Sequence, residues 1–241
     1  SLFQSKESLG LLVDHSGPSY LLNINKRTGK NLWKVDRTER VSWSTPTLSS
    51  QFNRQTVYIS SNGIVEAINF KTGKRLWLKE GIEGNTVASP TLTKELVIIG
   101  SSKKDQSLAL SRNKSTISDR VAWVAEDASS SFGSPLATFG YLYLVNRAGV
   151  ATCHDIKNGK KLWDLRLPGS CWASPISSSG RVYFFTKDGQ TLVIKNDGTP
   201  DIISDNRLSI EGKIYGVACI DRSFVIRTGS ELICVSNFKS G

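Results

Sequence analysis

The chain repeats itself every 40–46 residues, and that period dictates its architecture. Segments 23–36 (NINKRTGKNLWKVD), 68–80 (INFKTGKRLWLKE) and 154–166 (HDIKNGKKLWDLR) each read as a short strand, a basic turn with Gly, and a second strand entered through Leu-Trp. Val121-Ala122-Trp123 closes a weaker copy, so Trp33, Trp77, Trp123 and Trp163 stand 44, 46 and 40 residues apart. A fifth unit keeps a turn at Asn196-Asp197-Gly198 without the Trp. A second marker keeps step. A small residue and a hydroxyl residue precede Pro46, Pro90, Pro135 and Pro175, which are 44, 45 and 40 apart, and Gly216-Val217-Ala218-Cys219-Ile220 is a degenerate fifth copy. Self-similarity at such a period marks units that cannot bury their faces alone and must stack.

Between the markers every unit reads alike. A run such as Thr56-Val57-Tyr58-Ile59-Ser60, Tyr141-Leu142-Tyr143-Leu144-Val145 or Arg181-Val182-Tyr183-Phe184-Phe185 leads to a turn such as Ser61-Asn62-Gly63 or Lys187-Asp188-Gly189. Another apolar run follows, as in Ile64-Val65-Glu66-Ala67-Ile68. β-Branched and aromatic runs bounded by Asn-Gly and Asp-Gly are hairpins. No stretch of ten residues carries helical periodicity. Four strands per unit predict an all-β fold, a β-propeller of four-stranded blades. The spacing assigns residues 1–241 to a single propeller domain. It has a partial first blade at 1–40, blades at 41–84, 85–129, 130–169 and 170–212, and a partial last blade at 213–241, about five to six blades in this chain.

Composition excludes several classes. A hydrophobic share of 39% suffices for a core and is too high for a disordered chain. No apolar run reaches the ~18 residues that span a bilayer. Segment 1–10 (SLFQSKESLG) lacks a signal-peptide pattern and Met is absent throughout, so the chain reads as processed or excised, with any targeting segment out of view. Cys153, Cys171, Cys219 and Cys234 include no adjacent pair and no Cys-x-x-Cys; two disulfides and four buried thiols both fit. His15 and His154 are too far apart in sequence to suggest zinc, and no metal site is expected. Cys153 and His154, adjacent on a strand, point to opposite faces and cannot act as nucleophile and base. Asn113-Lys114-Ser115 is a glycosylation sequon only in a eukaryotic secretory route.

Three residues before each marker Pro or its equivalent stand Trp43, Val87, Phe132, Trp172 and Tyr215. In a propeller the strand entered through that marker is the innermost. Trp43, Phe132, Trp172 and Tyr215 then line the mouth of the central funnel with flat faces, suited to sugar rings, a quinone or an inserted peptide loop, unless they serve only to pack blades together. The net charge of +10 (31 Lys+Arg, 21 Asp+Glu) is patterned too. Lys26, Arg27 and Lys30, then Lys71, Lys74 and Arg75, then Lys157, Lys160 and Lys161, recur in one turn of successive units and predict a basic face, able to meet an acidic partner, lipid head groups or a polyanion. No nucleic-acid module is present and no aromatics interleave with the basic turns, so no specific nucleic acid is expected. The tryptophans Trp33, Trp77, Trp123 and Trp163 are structural wedges between blades that hydrogen-bond through their N–H.

The stretches Asn25-Lys26-Arg27-Thr28-Gly29-Lys30-Asn31-Leu32-Trp33 and Phe70-Lys71-Thr72-Gly73-Lys74-Arg75-Leu76-Trp77, with the small-Ser-Pro strands, resemble the PQQ-like repeat family of β-propellers over nearly the whole chain. That family includes quinoprotein alcohol dehydrogenases, which bind PQQ and calcium, and non-enzymatic BamB-like members. The resemblance implies seven or eight blades, so the chain is either an incomplete part of such a ring or a small closed one whose terminal pieces complete a blade; the missing Met favours the first. The quinoproteins carry adjacent cysteines, oxygen-rich calcium ligands and a catalytic Asp. Here no Cys has a Cys neighbour, Ser, Thr, Pro and Val dominate the blade starts, and no carboxylate stands in a recognisable motif. The resemblance is therefore closer to the BamB-like members. It implies a non-catalytic scaffold without cofactor, exported to the bacterial periplasm or cell surface, that docks a protein partner or small ligand on loops around the funnel. A PQQ- and calcium-dependent oxidoreductase is the alternative, and a binder of polyanions or membrane surfaces through the basic turns the second.

Overall fold

The computed structural model describes residues 1–51, 54–114 and 116–236. Ser115 of the sequon and residues 237–241 of the predicted last blade lie outside them. The chain divides into two compact units, Ser1–Val124 and Ala125–Gly241. Among the described residues the only helical element is a 3-10 turn at Ser118–Arg120; everything else regular is antiparallel β.

The first unit holds three sheets, each a four-stranded meander. They are β1 (Leu2–Gln4), β2 (Ser8–Val13), β3 (Ser19–Asn25) and β4 (Asn31–Arg37); β5 (Thr47–Gln51), β6 (Arg54–Ser61), β7 (Gly63–Asn69) and β8 (Arg75–Ile82); and β9 (Thr91–Leu92), β10 (Leu96–Ile99), β11 (Leu108–Ser111) and β12 (Val121–Val124). The second unit holds β13 (Leu136–Thr138), β14 (Tyr141–Val145), β15 (Val150–Asp155) and β16 (Lys161–Arg166); β17 (Ile176–Ser178), β18 (Arg181–Phe185), β19 (Gln190–Lys195) and β20 (Ile202–Arg207); and the three-stranded sheet of β21 (Gly216–Ile220), β22 (Ser223–Arg227) and β23 (Leu232–Ser236). The first sheet corrects the expectation of a partial blade at 1–40. Leu2-Phe3-Gln4 pairs with Leu9-Gly10-Leu11 and makes a fourth strand, the phenyl ring of Phe3 lying over Gly10 where any Cβ would collide with it.

Within each unit the sheets pack face to face through residues that alternate along the strands. Leu12 and Leu21 of the first sheet meet Val57, Ile59, Ile68 and Phe70 of the second. Tyr58, Val65 and Ala67 on the other face of the second meet Val97, Ile99 and Leu110 of the third. In the second unit Tyr143, Val145 and Cys153 meet Val182, Phe184 and Ile194, and Phe185 meets Ile226 and Phe224. Each fully buried aliphatic or aromatic side chain contributes about 1.5–3 kcal/mol.

Both sequence markers prove to be inter-blade contacts. The Ser of one Ser-Pro marker accepts a hydrogen bond from the backbone N–H at the same position of the blade before: Thr45 N–H to Ser89 Oγ at 2.9 Å, and Ser134 N–H to Ser174 Oγ at 2.8 Å. The Leu-Trp strands close the other edge. Trp33 Nε1–H donates to Phe70 O at 3.0 Å and Trp163 Nε1–H to Gly198 O at 2.9 Å, each reaching the turn after the third strand of the next blade. That turn needs glycine for two reasons at Gly73: its φ is +74°, and a Cβ there would sit 3.0 Å from the Trp33 ring. The weak third repeat lacks this glycine turn, and the Arg120 guanidinium covers Trp77 instead, 5.0 Å from the ring centroid.

A last regularity fixes which loops share an end. The residue after the third strand donates its N–H to a carbonyl in the turn between the first two strands, or in the second sheet at the start of the second strand: Lys26 to Glu7, Phe70 to Gln55, Arg112 to Glu95, Ile156 to Gly140 and Asn196 to Gly180. The basic turns therefore lie beside the first hairpin turns.

Candidate functional site

Three of the four predicted mouth aromatics come together in the second unit. Phe132 and Trp172 are half-buried, with ring centroids 6.1 Å apart; Trp172 and Tyr215 are 5.2 Å apart, and Tyr215 is 44% exposed. Lys187 Nζ lies 5.8 Å from the centroid of Trp172 and the Arg227 guanidinium 5.3 Å from that of Tyr215. The strip is held by backbone bonds: Lys187 N–H to Ser170 O at 2.8 Å, Ile214 N–H to Lys187 O at 2.9 Å and Tyr215 N–H to Arg227 O at 2.9 Å. Its rim carries Asp188, whose carboxyl is held below the usual range first by a hydrogen bond from Lys213 and then by the charge of Lys187. The result is an aromatic strip whose rings are tilted 61° and 47° to their neighbours, with cations against two of them, able to cover apolar groups and to meet carboxylates.

Trp43 belongs to the first unit. It is 67% exposed, and its backbone N–H bonds Thr86 O at 2.9 Å, beside the aliphatic Val87 that breaks the aromatic series.

The nine basic-turn residues divide. Lys26 is spent on Gln4 Oε1 and Ser5 O at 2.7 and 2.6 Å, Arg75 on Glu66 at 3.0 Å, and Lys161 lies 3.8 and 3.7 Å from Asp127 and Asp164. Arg27, Lys30, Lys71, Lys74, Lys157 and Lys160 are exposed and have no side-chain partner among the described residues. The turn amides are already used internally: Asn25 Oδ1 accepts from Arg27 and Thr28, and Asp155 Oδ1 from Lys157. The turns thus offer side-chain charge rather than a backbone anion cradle.

Sequence reasoning missed an ionic cluster in the first unit. Arg37 grips Asp14 with Nε and Nη2 at 2.9 and 3.2 Å and pairs with Glu66 through Nη1, while Ser61 donates to Asp14 at 2.6 Å. All three ionic side chains are buried. Nearby, burial and the charge of Arg37 push the Arg40 pKa down. A pocket of about 250 Å³ lined by Leu11, Asp14, Ser42 and Ser44 adjoins this cluster, but both carboxylate oxygens of Asp14 already have donors. Its partners are 23 and 47 residues away in sequence, and no local pattern announces them.

Two of the four cysteines, Cys153 and Cys171, and one of the two histidines, His154, are packed inside the fold. Cys153 and Cys171 are buried free thiols whose pKa burial pushes up to about 12, whereas Cys219 and Cys234 are free and exposed. The four thiols are thus neither paired nor all buried.

Four-stranded blades wedged by Leu-Trp strands and clamped at Ser-Pro strand starts define a PQQ-like β-propeller protein. A family model described as outer membrane protein assembly factor BamB matches residues 9–124 and 106–201, and the chain belongs to that family. Among solved structures it is similar to BamB from Moraxella catarrhalis, with 16% identity over 98% of this chain and 71% of that one and a TM-score of 0.76. It is also similar to a europium-containing methanol dehydrogenase, with 11% identity over 88% of this chain and 52% of that one and a TM-score of 0.64. At these identities the likeness is one of fold. No curated protein sequence matches the chain.

Proposed function

We propose that the chain is a non-catalytic docking platform of the bacterial periplasm, serving outer-membrane protein assembly by holding a protein partner on the aromatic strip at the starts of its innermost strands. The observation that carries this reading is the strip itself: Trp172 in contact with both Phe132 and Tyr215, with Lys187 against the central Trp172 and Arg227 against Tyr215, on a hydrogen-bonded base. Rigid aromatics lose little side-chain entropy on binding and recur as interface anchors. Family membership supports the scaffold role and the compartment. A quinone enzyme is less well supported, because the sequence has no adjacent cysteines and among the described residues no three His, Cys, Asp or Glu side chains converge to ligate calcium.

The test uses a photo-cross-linking amino acid at position 172 and, as control, at Leu162 on an outer strand, in cells that express the full chain. A discrete protein adduct at 172 alone is expected, and Trp172→Ala is expected to keep the fold while reducing adduct formation from a cross-linker at Tyr215. Loss of folding in Trp172→Ala, seen as a collapsed melting transition, would make the strip packing rather than a site.

A further inference from the structure

Phe139 has the highest relative exposure of any large hydrophobic residue among those described, 76%. It also stands where the backbone does not favour it. Thr138 pairs with Tyr141, so Phe139 and Gly140 form a two-residue turn, with φ values of +48° and +88°. Such a turn favours Asn, Asp or Gly at its first position. The sister turns obey more closely, with Ser179 at +50° and Asp221 at +51°. Phe139 joins none of the described core clusters, so packing does not explain a large ring in a left-handed, exposed position.

Its surroundings are cationic. The N–H of Ile156 bonds Gly140 O at 3.0 Å, which sets the Phe139 tip beside the turn bearing Lys157 and Lys160. Those two lysines, and Arg181 at the same end of the next blade, are exposed and have no carboxylate partner among the described residues. Three carboxylates at that end are engaged: Asp155 accepts the N–H of Lys157, Asp197 accepts from Thr199, and Asp201 pairs with Lys195 at 2.9 Å, while Asp221 is exposed in the corresponding turn of the last sheet, two blades from Phe139. A convex tip with an aromatic ring at its apex and unpaired cations around it lacks the concavity that grips a protein side chain. It has the two parts of a lipid-interface contact: a ring that enters the boundary of head groups and acyl chains, and flexible ammonium groups that meet anionic head groups.

We propose that this end of the second unit docks on an anionic lipid bilayer surface, with Phe139 entering the interface and Lys157 and Lys160 contacting the head groups. Phe132 and Phe139 flank β13 at opposite ends, so the aromatic strip stays open to a partner when the membrane is engaged. The inference does not depend on the docking role of that strip.

The experiment is co-sedimentation of the full chain with phosphatidylcholine vesicles, with and without about one third phosphatidylglycerol, in about 0.1 M salt. Binding is expected only with the anionic lipid. Phe139→Ser, which copies the sister turn at Ser179, is expected to keep or raise the melting temperature and to weaken partitioning roughly fivefold. Lys157→Glu with Lys160→Glu is expected to weaken it roughly tenfold. Phe139→Trp should add fluorescence that brominated lipid quenches. Failure to bind anionic vesicles would overturn the proposal, as would binding by Phe139→Ser equal to the parent, which is electrostatic adsorption alone. A large fall in melting temperature for Phe139→Ser would overturn it too, by making the ring a structural group.

Discussion

His154 is sealed inside β15, with one ring nitrogen 3.0 Å from Gly159 O and the other 3.0 Å from Thr152 Oγ1. A carbonyl can only accept, so Nδ1 carries the proton and Nε2 accepts from the threonine hydroxyl. Burial is the main cause that pushes its pKa below the ordinary value. The unfolded chain takes up a proton near the ordinary pKa of about 6.5 while the folded chain resists. The stability this neutral ring contributes is thus complete above that pH and is lost as pH falls toward the folded pKa. The melting temperature is expected to drop on acidification below about pH 6.5, and His154→Gln is expected to flatten that part of the profile. An unchanged slope in the variant would assign the acid sensitivity elsewhere. At this scale the sequence was readable in part. Cys153 and His154 could be placed on opposite strand faces from adjacency alone. The Asp14–Arg37–Glu66 cluster could not be found, because each member looks like an ordinary surface charge until β4, β7 and the residue that follows β2 come together. Phe139 carried a local signal, a Phe-Gly between two apolar runs, whose meaning depended on the sign of its φ.

Strands were the most legible elements, since turn residues and apolar alternation recur at a fixed period and each repeat checks the others. β1 escaped because three residues carry neither periodicity nor a turn signal of their own. The Trp wedges were predicted as a type, and the N–H bonds of Trp33 and Trp163 show what the wedge does at two of the four positions, while Trp77 is covered by Arg120. Trp163 ties β16 to the turn of the following blade at Gly198. Trp163→Phe keeps most of the apolar contact and loses that bond, which is expected to cost about 1 kcal/mol in urea unfolding. Trp163→Ala also opens a cavity between Tyr143 and the turn, with an expected cost of about 3–5 kcal/mol. Equal losses for the two variants would mean that the hydrogen bond carries the contact and the ring does not. The basic turns were legible as a series but not in their pairing, since Lys26, Arg75 and Lys161 each find a partner on a neighbouring strand or loop.

For the molecule as a whole, the repeat fixed the fold class and the family, while the activity depends on how the family pattern is filled in. The same blades support BamB and a methanol dehydrogenase, so the distinction lies in the loops. Incubation of the purified chain with PQQ and calcium is expected to leave no quinone absorbance after gel filtration and to give no dye-linked oxidation of alcohols. Retained quinone with turnover would reverse the assignment. The net charge of +10 also acquires a layout, since six exposed turn cations that have no side-chain partner among the described residues stand at repeated positions.

The serine hydroxyls of the Ser-Pro strands have one further consequence. Ser89 and Ser174 each accept from the same backbone position one repeat earlier, so in both pairs a blade presents at one side what its neighbour requires at the other. A gene segment copied in tandem at this spacing would arrive with its joint already matched, without compensating substitutions. Lineages built from such units can lengthen or shorten by whole steps, and blade number then becomes a trait that drifts more easily than blade sequence.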